Sequence, residues 1–185
     1  MAEAVARRYG AELTWLPFDL HPEYPREGIS RAALHAKYGG ETAYVQRMLD
    51  AFARYDLVYA PPPDTVPNTR QALQVTELAR DVDLQRAFHD RLMDAYWAEE
   101  ANIGDPDVLR RLAAEVGLGA EQVEDTLAGD RYVDRITAST QQAHSIGITG
   151  IPGFLLDRRL VLTGAHPLDA FDQAFAQLGL TPVAE

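Results

Sequence analysis

The sequence predicts an α/β fold in which a mixed sheet is interrupted by an all-helical insertion. Three observations carry this. A short run of strand formers, Glu12-Leu13-Thr14-Trp15-Leu16-Pro17-Phe18, follows a helix end closed by Gly10. The middle of the chain, residues 67–146, shows only helical spacing of its apolar positions. Strand-like runs return at Phe154–Leu156 and Leu160–Thr163 and lead into a last helix.

Taken in order, the first residues to Gly10 read as the end of an amphipathic helix, with Arg7 and Arg8 near its C-terminus and Gly10 as its stop. The strand run from Glu12 is ended by Pro17. Leu20 to Gly28 carries Pro22 and Pro25 and is irregular. Ser30 caps a helix in which Ala33, Leu34, Lys37 and Tyr38 recur at helical spacing, and Gly39-Gly40 stops it. Glu41 to Tyr55 is a second helix, with Tyr44, Met48 and Phe52 four apart. Leu57-Val58-Tyr59 reads as a strand fragment ended by Pro61-Pro62-Pro63, a rigid connection. Asn68 or Thr69 caps a helix from Arg70 to Arg80.

The next helix starts at Asp81 or Val82 and carries Leu84, Phe88, Leu92 and Tyr96 on one side. Asp105-Pro106 is a start signal, because the carboxylate meets free N–H groups and proline suits the first helical position. Val108, Leu109, Leu112, Ala113 and Val116 share the following face, closed by Gly117. A short helix spans Gly119 to Leu127, and a longer one spans Arg131 to Ile146. Asp157-Arg158-Arg159 is the polar turn of a hairpin. Gly164-Ala165-His166-Pro167 turns the chain into a helix with Leu168, Phe171, Ala174, Phe175 and Leu178 inward, stopped by Gly179; Thr181 to Glu185 is expected to fray. The implied organisation is an α/β domain over 1–66 and 147–185, with a helical subdomain over 67–146.

Composition narrows the function classes. Asp and Glu number 28 against 17 Lys and Arg, a formal charge of −11, which disfavours nucleic acid as a partner. No apolar run is long enough to cross a bilayer, and residues 1–10 lack a basic start before an apolar stretch, so no membrane partner and a cytoplasmic location are expected. Cysteine is absent, so these residues hold no disulfide, thiolate nucleophile or Cys-based metal site. The histidines, His21, His35, His89, His144 and His166, are scattered without metal-ligand spacing. Glu99-Glu100, Asp81 with Asp83, Arg110-Arg111 and Arg158-Arg159 read as solvated or turn positions. No glycine-rich phosphate loop supports a nucleotide cofactor.

Some segments carry a family likeness. Trp15-Leu16-Pro17-Phe18-Asp19-Leu20-His21-Pro22 resembles the stretch after the first helix in DsbA-like proteins of the FrnE and 2-hydroxychromene-2-carboxylate isomerase group. Thr69 to Tyr96, with Ile103-Gly104-Asp105-Pro106, is similar to that group's helical insertion. Most specific is Gly147-Ile148-Thr149-Gly150-Ile151-Pro152, then Phe154-Leu155-Leu156-Asp157, then Leu162-Thr163-Gly164-Ala165-His166-Pro167. This resembles the family's cis-proline loop, its following strands and its closing turn, with His166 where glutamine is common. The likeness covers Val5 to Leu178.

The resemblance implies a thioredoxin-like, DsbA-type mixed sheet whose first strand, Cys-Pro-Trp-Cys or similar motif and first helix start would lie ahead of Met1. It implies a cis bond before Pro152, with Gly150, Ile151 and Pro152 presenting backbone to an extended peptide or thiol substrate. Taken alone, Pro152 reads as a plain strand-entry proline. The implied activity is that of a thiol–disulfide oxidoreductase. Exchange needs an attacking thiolate and a resolving thiol, so this cysteine-free chain is not redox-competent as it stands and no catalytic residue is assigned. Two alternatives stay open: a glutathione-dependent isomerase with a serine in the upstream region, or a non-catalytic peptide-binding or dimer scaffold. No cofactor is expected beyond glutathione in the first of these. In the isomerase reading Asn68 and Thr69 lie toward glutathione, although a helix cap is the plainer role of either. Without the first strand, apolar edges near Trp15 and Phe154 are uncovered, which favours a homodimer or marginal stability.

Overall fold

The computed structural model describes residues 1–60 and 62–183. Two compact units divide the chain: residues 1–20 with the described residues from 137 onward, and residues 21–136.

In the first unit, α1 (Ala2–Tyr9) ends at Gly10 in the left-handed conformation. The strands β3 (Gly153–Leu156) and β4 (Leu160–Thr163) pair antiparallel with Phe154 opposite Leu162, and α9 (Leu168–Gln177) follows. These elements are held by one apolar cluster of Val5, Leu156, Phe171, Ala174 and Phe175. Phe154 meets Phe171 edge to face at 4.9 Å, and Tyr9 stacks on Phe175 at 4.0 Å. Polar contacts tie the same helices: Arg8 pairs with Asp172 at 2.9 Å, and the Tyr9 hydroxyl donates to Asp172 at 2.7 Å.

The second unit opens with two-residue strands β1 (Ile29–Ser30) and β2 (Thr65–Val66), flanking α2 (Arg31–Lys37) and α3 (Glu41–Ala53). Ser30 caps α2 by accepting from the Ala33 N–H. Gly28 precedes β1 at φ +81°, and a Cβ there would collide with the Val66 carbonyl oxygen, so only glycine lets the strands approach. Helices α4 (Arg70–Asp81), α5 (Gln85–Ala98), α6 (Pro106–Glu115) and α7 (Ala120–Ala128) enclose the larger core. Val75, Leu78, Phe88, Leu109, Leu112 and Ile136 lie there, almost wholly removed from solvent. The Asp105 side chain accepts from the Asp107 N–H with Pro106 at the first helical position, as the start signal requires. Helix α8 (Val133–Ser145) begins in this unit and continues in the other.

The expected α/β fold with a helical insertion is the observed one, but three local expectations need correction. Glu12–Phe18 is not a strand. A strand exists through its ladder, and among the described residues no other segment offers one to 12–18. Side chains of α8 hold this stretch instead: Ser139 donates to the Pro17 carbonyl at 2.7 Å, and Thr140 accepts from the Asp19 N–H at 3.0 Å. Leu57–Tyr59 is not a strand either; Tyr59 is fixed by Phe52 and Trp97 rings at 5.2 and 6.1 Å. Of the triple proline, Pro61 lies outside the described residues, as do Ala184 and Glu185 of the tail. Helix α5 begins at Gln85 rather than near Asp81, because α4 continues to Asp81 and Asp83 turns the chain at φ +60°. The β1–β2 ladder was not anticipated, since two-residue strands are too short to show a period.

Glu77 on α4 is fully buried and is met by Arg80 at 3.0 Å and Arg135 at 3.3 Å. Arg135 also reaches Asp81 at 2.8 Å, and the Tyr132 hydroxyl donates to Asp81 at 3.0 Å. The Arg135 hydrogen bond, aided by Tyr132, holds the Asp81 carboxyl below the usual carboxylate range. Stability from this depression is complete above the unfolded value of about 3.9 and is lost as pH falls through the lower folded value. Urea midpoints should therefore fall on acidification below about pH 4, and Asp81→Asn should flatten that dependence. In the core, Phe88→Ala should cost about 3–5 kcal/mol in denaturant unfolding, the price of a cavity at a fully buried ring.

Candidate functional site

The segment 147–153 joins α8 to β3 in the first unit, and its path follows from three local devices. Helix α8 ends on a paired cap, with the Gly147 N–H donating to the His144 carbonyl and the Ile148 N–H to the Ala143 carbonyl. Gly147 takes φ +88° there. Ile148 then turns inward and is buried, while its neighbours face solvent. Gly153 closes over it: a Cβ at 153 would stand 2.5 Å from the Ile148 Cγ2. The third device is the Gly164 N–H, which donates to the Pro152 carbonyl at 2.7 Å and ties the loop to the turn after β4.

The structure brings Gly150, Ile151 and Pro152 together on this loop. The Ile151–Pro152 peptide bond is cis. Ile151 is 60% exposed, and among the described residues its N–H and C=O make no hydrogen bond. A Cβ built on Gly150 would meet no atom within 4 Å, so the space in front of the loop is open. Backbone groups left unpaired in the open are satisfied by water or by a ligand's backbone, the logic of strand addition. Exposed apolar side chains lie on and just after the loop, Ile151 and Leu155 of β3 at 44%, and the exposed Thr149 precedes them. In the same unit, Trp15 and Leu16 are 39% and 65% exposed.

Other candidate residues have structural occupations. The Asn68 side chain accepts from the Arg70 N–H at 3.0 Å and donates to the Tyr24 carbonyl at 2.7 Å, so both ends of its amide are spent. Thr69 flanks α4 without a side-chain cap bond. His166 contacts the Thr163 carbonyl through Nε2 at 3.0 Å, which pins the turn next to the loop. His144 meets the Phe18 ring edge-on, and His21 stacks on Tyr24 while bonding Glu23. Among the described residues, no group of three His, Asp or Glu side chains is placed to hold a metal ion. Sequence reasoning missed Ile148 and Gly164 as supports of the loop. The only signal was the glycine spacing at 147, 150 and 153, whose three glycines serve three different purposes.

The described geometry has counterparts in known proteins. The chain matches the DSBA-like thioredoxin domain over residues 1–176. Its structure is similar to that of a probable DsbA oxidoreductase from Streptomyces coelicolor, with a TM-score of 0.83 and 30% identity over 99% of this chain and 84% of the other. In sequence it is 26% identical over 166 residues to the uncharacterized protein YwbO of Bacillus subtilis, covering 89% of this chain and 81% of that protein.

The loop's supports can be checked directly. Gly153→Ala should destabilise the protein by about 1–3 kcal/mol through overpacking on Ile148. Ile148→Ala removes the colliding methyl, so the double variant should be more stable than the sum of the two single costs. Thermal unfolding of the four proteins in this cycle measures the coupling.

Proposed function

The chain belongs to the family of DSBA-like thioredoxin domains, and from that premise we propose that it is a FrnE-type member whose loop holds an extended peptide or thiol substrate by its backbone. Gly150, Ile151 and Pro152 are the binding residues in this reading. The observation that carries it is the exposed Ile151, whose N–H and C=O are both unspent beside the start of a sheet strand. An extended substrate can pair with these groups whatever its side chains, which suits a protein acting on many sequences.

The same reading fixes what these 185 residues do not do. Thiol–disulfide exchange breaks one S–S bond as another forms, and the attacking electron pair comes from a thiolate. The chain has no cysteine to supply it. Its part is to hold and orient the substrate; a thiol must come from elsewhere. The isomerase alternative loses support at Asn68, whose amide is committed to the α4 start and to Tyr24.

Titrating the 15N-labelled protein with an unfolded peptide whose cysteines are S-methylated should shift the Gly150, Ile151 and Gly153 amides saturably. Reduction of insulin by dithiothreitol should proceed at the uncatalysed rate in its presence. Peptide shifts confined to other residues would refute the proposed site. Self-association through the exposed apolar edge, the other occupant considered for this surface, would produce the shifts on concentrating the protein alone. In-frame codons ahead of Met1 separate the chemistries: a Cys-x-x-Cys pattern supports the oxidoreductase, and a serine in its place supports the isomerase.

A further inference from the structure

A cleft of about 480 Å³ in the helical unit is lined by residues of α2, the start of α3 and the segment before β2. That volume falls in the range of roughly 300–1,000 Å³ typical of small-molecule sites. Arg31 lines it and is only 8% exposed. Its guanidinium donates to the Pro63 carbonyl at 2.7 Å and to the Tyr96 hydroxyl at 3.0 Å. The remaining nitrogen, Nη1, is buried and has no acceptor. Among the described residues no carboxylate forms an ion pair with Arg31. A buried cation without a counter-charge is costly, and it is the group an anion relieves.

Two further elements line the same cleft. Gly40 is the N-cap of the 13-residue α3 and brings no capping side chain, so the first N–H groups of that helix are left unmet at its positive end. His35, itself buried, is the other, with its ring against Tyr44 at 5.0 Å. Glu41 and Asp64 also line the cleft and oppose a negative ligand, while Ala32, Ala36 and Val45 give it apolar wall.

We propose that this cleft binds the oxyanion group, carboxylate or phosphate, of a small molecule, with Arg31 as the anchoring cation and the α3 start as the second contact. The site is independent of the peptide-binding reading. Titration of the labelled protein with acetate and, separately, with inorganic phosphate tests it, with sodium chloride at matched ionic strength as control. A saturable shift of the Gly40 and Glu41 amides by either oxyanion is expected. Saturation by phosphate alone assigns a phosphate-bearing ligand, and saturation by acetate assigns a carboxylate. Arg31→Met should weaken binding by roughly tenfold or more, as loss of a charge-assisted hydrogen bond requires. Should that variant fail to fold, Glu41→Gln at an exposed position decides, since removing an opposing charge should tighten binding. No saturation by either oxyanion, equal shifts with chloride, or affinity unchanged in a folded Arg31→Met or in Glu41→Gln would overturn the proposal.

Discussion

A pair of strands joined by a tight turn is marginal in water until one face is covered. Everything at the candidate site depends on how β3 and β4 meet that constraint. Their ladder is four residue pairs long, and the apolar cluster that covers it draws on α9 and α1. Phe171 stands edge-on to Phe154, and Phe175 continues the cluster to Tyr9 and Val5 of α1. An edge-to-face aromatic contact is worth about 0.5–1.5 kcal/mol beyond its buried area. The strand that leaves the Gly150–Pro152 loop, and the turn that bonds the Pro152 carbonyl, are both ends of this hairpin. Loop geometry and aromatic packing therefore stand or fall together.

The charge distribution has a related logic. The chain is strongly acidic, and much of its positive charge is committed to internal partners. Arg80 and Arg135 converge on the buried Glu77, and Arg91 bridges Glu99 and Glu115. Arg110 spans Asp107 and Glu124, joining α6 to α7. At exposed positions such pairs add little individually. At Glu77 the sense differs, because a fully buried carboxylate stripped of its arginines would be left without compensation. The arginines thus act as internal fasteners, and the negative residues dominate what the outside world meets.

Much of the architecture was legible in residue order. Long periodic helices such as α4 and α5, the Asp105-Pro106 start, and the hairpin around Asp157-Arg158-Arg159 are written in local chemistry that packing reinforces. The loop at Gly150, Ile151 and Pro152 was legible through its likeness to a family, not through periodicity. What stayed hidden depended on partners distant in sequence. Glu12–Phe18 has strand-forming side chains, yet propensity cannot supply a neighbouring ladder, and the hydroxyls of Ser139 and Thr140 took the role instead. The β1–β2 contact rests on two residues a side and on Gly28, a close approach visible only in three dimensions. Ile148 looked like one apolar residue in a glycine-rich turn, and only the missing Cβ of Gly153 shows what it supports.

The open space in front of Gly150 has a practical side. Its backbone does not need the left-handed region, and a side chain placed there meets no neighbour. The chain contains no thiol of its own. A cysteine introduced at this one position would accept a maleimide dye or spin label stoichiometrically, without background, and would report from the loop's own surface.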